Sequence, residues 1–307
     1  MMRVSWQTLE HDGLSVEAQI FSPAVDTSEV VLLCPGFPGA GASRFEQRHA
    51  ATIVHEGYAL AVLRHAGTRF DSPTAPFMIN NAHRLMVARQ KNQTLLGDAP
   101  GTIEGWLREP LPALHALSER YSRIHVIGNS FGALSALWSL TTPSAPLNRV
   151  ATLILLAGAQ GISDGTPLDI MRIWQPQFMM LPTVTDKVSL ESPARAYQTL
   201  ADVYAQLPER VKASLPEHIP LRYLVVQNDE ILRPSDTERF QAAIGGRGEV
   251  VLDTIDHARP AHELMAHDMP DYPTEYIIDL LQKISPGGGL ASVPPGWDKK
   301  PEEKKKS

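Results

Sequence analysis

The chain has 307 residues, 43% of them hydrophobic and 20% charged, enough to enclose a sizeable core in one large domain or two small ones. A net charge of -6 offers no general attraction to nucleic acid or anionic membrane, and no run approaches the roughly 20 apolar residues that span a bilayer. The single cysteine, Cys34, excludes an internal disulfide, and its setting in Val31-Leu32-Leu33-Cys34-Pro35 predicts a buried structural thiol. The opening Met1-Met2-Arg3-Val4-Ser5 has no apolar signal segment, so a cytoplasmic location is expected.

In chain order, two opening strands, the second over Ser15 to Phe21, flank Asp12-Gly13 and predict an antiparallel hairpin at a sheet edge. Strand-like apolar runs follow at Glu29 to Cys34, Tyr58 to Arg64, Arg123 to Ile127, Ala151 to Ala157, Leu221 to Gln227 and Glu249 to Ile255. Helical spacing occupies the intervals between them: Arg44 to Glu56, Thr102 to Tyr121, Phe131 to Leu140, Ser235 to Ala243 and Pro273 to Ile284. Ser235 with Glu238 has the pattern of a capping box. This alternation predicts an α/β fold, a mostly parallel central sheet flanked by helices.

One interval breaks the rhythm. Gln160 to Pro220 reads as a largely helical insertion, a candidate cap or lid, which divides the core domain into 1–159 and 221–284. Within it, Trp174, Phe178 and Met179 belong to an apolar cluster that suits a substrate pocket, because aromatic and Met side chains make adaptable walls. The same residues would equally serve to pack the insertion onto the sheet. Residues 285–307, rich in Pro and Gly and then Lys, read as a flexible C-terminal tail, with the lysine run a solvated charge cluster.

The chemistry-bearing feature is Ile124-His125-Val126-Ile127-Gly128-Asn129-Ser130-Phe131-Gly132-Ala133: a strand that breaks at Gly-x-Ser-x-Gly and continues as a helix. Glycines on either side permit a turn sharp enough to expose the Ser130 hydroxyl at the end of a buried strand, which nominates Ser130 as a nucleophile. A serine hydroxyl needs a base and an orienting acid to react at neutral pH. Asp229 follows the strand-like run that ends at Asn228, and His257 follows the run that ends at Asp256. Both are therefore expected at the carboxyl edge of the sheet, where open α/β folds place ligands.

These segments, Gly128 to Gly132, Asp229-Glu230-Ile231-Leu232-Arg233-Pro234 and His257, resemble the α/β-hydrolase fold superfamily over roughly Val4 to Ile284. The resemblance implies a serine hydrolase with the triad Ser130, Asp229 and His257 and no cofactor. It also implies an oxyanion hole from the backbone N–H groups of Phe37 and Phe131. Phe37 lies in Leu33-Cys34-Pro35-Gly36-Phe37-Pro38-Gly39, where Pro35 replaces the family's usual histidine, and Asp256 stands where glycine usually precedes the catalytic histidine. Glu230 and Asp236 compete with Asp229 as the acid. His262 and His267 follow His257, but a spacing of five sets helical residues about 140° apart, which argues against a shared metal ion. His65, which follows another strand, is expected to be structural rather than a pocket wall.

The implied reaction is acyl transfer to Ser130 from an ester or thioester, followed by hydrolysis, with a small-molecule acyl substrate or an acyl group delivered on a carrier. An acyltransferase, a biosynthetic thioesterase and an aminopeptidase remain open, as does a non-catalytic binding protein that retains the fold.

Overall fold

The computed structural model describes residues 2–36, 44–67, 86, 90–91, 101–156, 193–226, 234–245, 249–253, 278 and 281–282. Its eight strands are β1 (Arg3–His11), β2 (Leu14–Ser22), β3 (Glu29–Cys34), β4 (Ala59–Arg64), β5 (Arg123–Asn129), β6 (Val150–Leu156), β7 (Leu221–Val226) and β8 (Glu249–Asp253). They form one sheet in the order β1-β2-β4-β3-β5-β6-β7-β8. β1 pairs antiparallel with β2 and β2 antiparallel with β4, and every pairing from β4 onward is parallel. The predicted hairpin is present: Asp12 and Gly13 turn it with φ of 48° and 76°, values that an Asp-Gly pair tolerates.

The parallel strands are buried on both faces, and their alternation sorts side chains into two cores. Val30, Leu32 and Cys34 face one cluster together with Ala59, Ala61 and Leu63, and Val31, Leu33, Leu60 and Val62 face the other. Helix α1 (Arg44–His55) contributes Ala50, Ile53 and Val54 to the second cluster. The first cluster is larger and takes in α2 (Ile103–Arg108), α3 (Pro110–Ser118), α4 (Phe131–Leu140), α5 (Pro193–Ser214) and α6 (Pro234–Ala243). Of the interval predicted as an insertion, residues 193–214 form α5, whose Ala196, Leu200, Val203, Leu207 and Val211 join this larger cluster. Residues 157–192 lie outside the described residues. So do the tail and most of the helix expected over Pro273 to Ile284.

Two helices differ from expectation. The single helix expected over Thr102 to Tyr121 is two, α2 and α3, divided at Glu109. Pro110 follows directly, and a proline has no N–H to continue a helical ladder and instead favours the first turn of a new helix. The helix expected over Ser235 to Ala243 starts one residue early, at Pro234, so Ser235 sits inside the first turn of α6.

Arg210 of α5 fastens the end of α4. Its guanidinium lies 3.8 Å from the Trp138 ring centre and donates to the Trp138 carbonyl at 3.1 Å and to the Thr141 and Thr142 hydroxyls at 3.3 Å each. A cation at the helix C-terminus, a ring contact and three hydrogen bonds act together. Arg210→Ala is therefore expected to cost about 1–2 kcal/mol, read as a lower urea midpoint with unchanged slope.

At the opposite, amino end of the strands, His125 is fully buried on β5. Its Nε2 donates to Glu29 at 2.8 Å, and Nδ1 pairs with the Thr152 hydroxyl at 2.9 Å. Burial pushes the imidazole below its ordinary range, against the pull of Glu29 and with a smaller push from Arg123. Below about pH 6.5 the unfolded chain gains a proton at this position that the folded chain resists, so stability falls as the pH drops toward the lowered folded value. Urea midpoints at pH 7 and pH 5.5 are expected to differ less in His125→Gln than in the parent; an equal difference would rule out His125 as a source.

Candidate active site

Strand order reverses between β3 and β5: the chain leaves β3 toward β4 on one side and returns through β5 on the other. Such a switch point opens a crevice at the carboxyl ends of the strands. The final register pair there is Cys34 with Gly128, so the loop that begins Pro35-Gly36 and the turn Asn129-Ser130 emerge side by side.

Ser130 is half-buried and has φ 51° and ψ -120°, a conformation that L residues avoid. It is one of two non-glycine residues with positive φ among those described. The turn is held from both sides: the Ser130 N–H donates to the Leu156 carbonyl at 2.8 Å, and the Ala133 N–H donates to the Ser130 carbonyl at 3.0 Å. The flanking glycines are required by close approach. A Cβ on Gly128 would stand 2.6 Å from the Ala133 Cα, and one on Gly132 would stand 1.9 Å from the Cys34 carbonyl oxygen. Helix α4 thus starts almost in contact with the end of β3.

Gly36 also belongs to this site. A Cβ there would lie 3.1 Å from the Ser130 Cβ and 3.7 Å from its Oγ, so the backbone of the Pro35-Gly36 loop runs directly beside the hydroxyl. The first N–H groups of a helix point beyond its first turn and carry the positive end of its dipole. In α4 they begin at Phe131, next to Ser130.

Beneath Phe131 lies a cluster absent from the sequence reading. His65, at the carboxyl end of β4, is 1% exposed, and its Nδ1 donates to Glu109 Oε2 at 2.5 Å. The other Glu109 oxygen accepts the Ala66 N–H at 2.8 Å, and the Trp106 indole N–H donates to the Ala66 carbonyl at 2.9 Å. The His65 ring stacks on Trp106 with centroids 4.5 Å apart and meets Phe131 edge to face at 5.5 Å. His65 is thus a buried, hydrogen-bonded histidine rather than a pocket wall, and it packs against the residue that follows Ser130. The only sequence signal for Glu109 was its place before Pro110 in an otherwise helical stretch.

Cys34 is buried, as predicted. Burial, and secondarily the charge of Glu109, raises its thiol well above the usual cysteine range, so it remains a neutral thiol and an unreactive wall. Of the other predicted site residues, Phe37, Trp174, Phe178, Met179, Asp229 and His257 lie outside the described residues, as do Glu230, His262 and His267. Asp236 falls in the first turn of α6. Among the described residues, no three His, Cys, Asp or Glu side chains are grouped to hold a metal ion, and no helix is long and apolar enough to cross a membrane.

No protein-family model matches the chain, and no curated protein matches it in sequence. Solved structures are similar in shape at low identity. A carboxylesterase of the thaumarchaeon Nitrososphaera gargenis has TM-score 0.58 and 10% identity, with 91% of this chain and 98% of that one covered. A thermostable carboxyl esterase of Bacillus coagulans has TM-score 0.52 and 14% identity over 92% and 98% of the two chains. The thioesterase domain of the curacin biosynthetic pathway has TM-score 0.51 and 12% identity over 91% and 99%. With its strand order, its helices on both faces and the sharp Ser130 turn at the switch point, the chain has the α/β-hydrolase fold.

Proposed function

We infer that this protein is a serine hydrolase of carboxylic esters or thioesters, acting through Ser130, His257 and Asp229. The observation that carries this reading is the strained Ser130 turn, held by close backbone contacts at the switch point with the Gly36 backbone beside its hydroxyl. Backbone strain persists only where the surroundings over-determine it, and a strained serine between a strand and a helix N-terminus suits a nucleophile. Further support comes from β7 and β8: they run parallel to β5 and β6, so their last residues, Val226 and Asp253, lie at the edge of the sheet from which Ser130 emerges, and Asp229 and His257 follow them by three and four residues in the sequence.

In the proposed cycle His257 takes the Ser130 proton as the oxygen attacks the acyl carbonyl, and Asp229 holds the imidazole tautomer and stabilises the imidazolium. The N–H groups of Phe131 and Phe37 receive the developing oxyanion, with the α4 dipole adding to them. His257 then protonates the leaving alkoxide or thiolate. Water, deprotonated by the same histidine, releases the acid and restores Ser130. A wall formed by Trp174, Phe178 and Met179 would accept the acyl chain.

A fluorophosphonate probe followed by peptide mapping tests the class: a covalent adduct on Ser130 of the folded protein is expected, and its absence would remove every serine-enzyme version and leave a binding protein. A panel of p-nitrophenyl esters, acyl thioesters and aminoacyl amides then ranks the substrate classes. Esters or thioesters are expected to lead, and a preference for aminoacyl amides would make the protein an aminopeptidase. Likeness to a thioesterase domain keeps a carrier-bound acyl group within the panel.

A further inference from the structure

The geometry points to His65 and Glu109 as positioning residues for the oxyanion donor at Phe131, acting through the Phe131 ring rather than on the substrate; this inference rests on the serine-hydrolase reading. Ser130 occupies a conformation that costs about 1–3 kcal/mol and stays there only if its neighbours are held. On the strand side the restraint is backbone packing of Gly128 and Gly132. On the helix side Phe131 is 3% exposed, and its ring meets His65 at 5.5 Å and Trp106 at 6.0 Å, both edge to face.

Those two rings are themselves fixed. Glu109 takes His65 on one carboxylate oxygen and the Ala66 N–H on the other, while Trp106 closes the loop on the Ala66 carbonyl. A carboxylate accepts and never donates, so His65 must carry its hydrogen on Nδ1, which sets the tautomer and the plane of the ring. The preceding residue, Arg64, is locked as well, by a buried ion pair to Glu17 on β2 at 3.0 Å. The chain thus connects the β2–β4 edge, the α2–α3 break and the first residue of α4 through one stack of rings. An oxyanion donor works by preorganisation, so displacement of Phe131 by a fraction of an ångström lowers transition-state binding more than substrate binding.

The test uses the full chain with His65→Ala, His65→Asn, Glu109→Ala and Glu109→Gln. Reactive Ser130 is titrated with a fluorophosphonate to its end point, and kcat and KM for p-nitrophenyl butyrate are expressed per titrated site. His65→Ala and Glu109→Ala are expected to lower kcat about 10- to 100-fold, with KM changed by no more than about twofold. Glu109→Gln should recover most of that loss, because its amide oxygen still accepts the Ala66 N–H and its NH2 can donate to the ring. His65→Asn keeps a donor for Glu109 and removes the ring, so it folds and still loses roughly tenfold in kcat. If folded variants keep the parent kcat per titrated site, and only the titratable fraction or melting temperature falls, His65 and Glu109 are structural and the inference is overturned. A parent protein that neither labels nor turns over ester would instead overturn the hydrolase reading, and this inference with it.

Discussion

Ser130→Ala is expected to lower ester turnover on the order of 10⁶-fold, abolish fluorophosphonate labelling and leave the folded protein intact. The magnitude follows from coupling: without the nucleophile, histidine and acid have nothing to activate, and only the oxyanion donors and the binding site remain. His257→Ala should match it, and Asp229→Asn should cost about 10⁴. If Asp229→Asn is nearly silent and Glu230→Gln is crippling, the acid is Glu230. Ser130→Gly makes a separate point about the turn. A glycine at φ 51° relieves the strain, so this variant should be inactive yet more stable than Ser130→Ala by about 1 kcal/mol, measured by urea unfolding. Equal stability would mean that the turn is relaxed.

Gly132→Ala should have the largest effect on stability. Its new Cβ would lie 1.9 Å from the Cys34 carbonyl oxygen, 2.5 Å from the Cys34 carbonyl carbon and 2.7 Å from the Pro35 oxygen. All three are backbone atoms, so no rotamer change opens space. Helix α4 would have to move off the end of β3, which exposes part of the larger core and displaces the Ser130 turn. The expected cost is about 3 kcal/mol or more, a large share of the roughly 5–15 kcal/mol that holds a protein folded. Urea unfolding and soluble yield measure it. Gly128→Ala acts in the same direction through the Ala133 Cα at 2.6 Å. A Gly132→Ala protein with the parent's urea midpoint and an intact Ser130 adduct would show that the close approach is not required.

The strands were legible because a strand buried on both faces reads as a short, largely apolar run, and Glu29 to Cys34 and Leu221 to Val226, with Arg222 as its one charged residue, are such runs. The helix over Phe131 to Leu140 was legible in full, since the Gly-x-Ser-x-Gly turn marks its start and Thr142-Pro143 its end. The stretch from Thr102 to Tyr121 misled because its apolar spacing continues through a break: periodicity reports which face is buried, whereas Pro110 decides whether the backbone ladder is continuous.

By itself, the sequence determined the α/β alternation, the Asp12-Gly13 hairpin and the serine at a glycine-flanked strand-to-helix turn. These depend on local dihedral preference and on side-chain period, which near neighbours encode. Only the tertiary structure decided that the sheet order reverses between β3 and β5, that Gly36 runs beside Ser130, and that His65 and Glu109, 44 residues apart, join beneath Phe131. Contacts at that separation form when packed layers bring distant strand ends together. No spacing in the chain announces them, because the partner of a buried polar group is whichever donor or acceptor the packing leaves within reach.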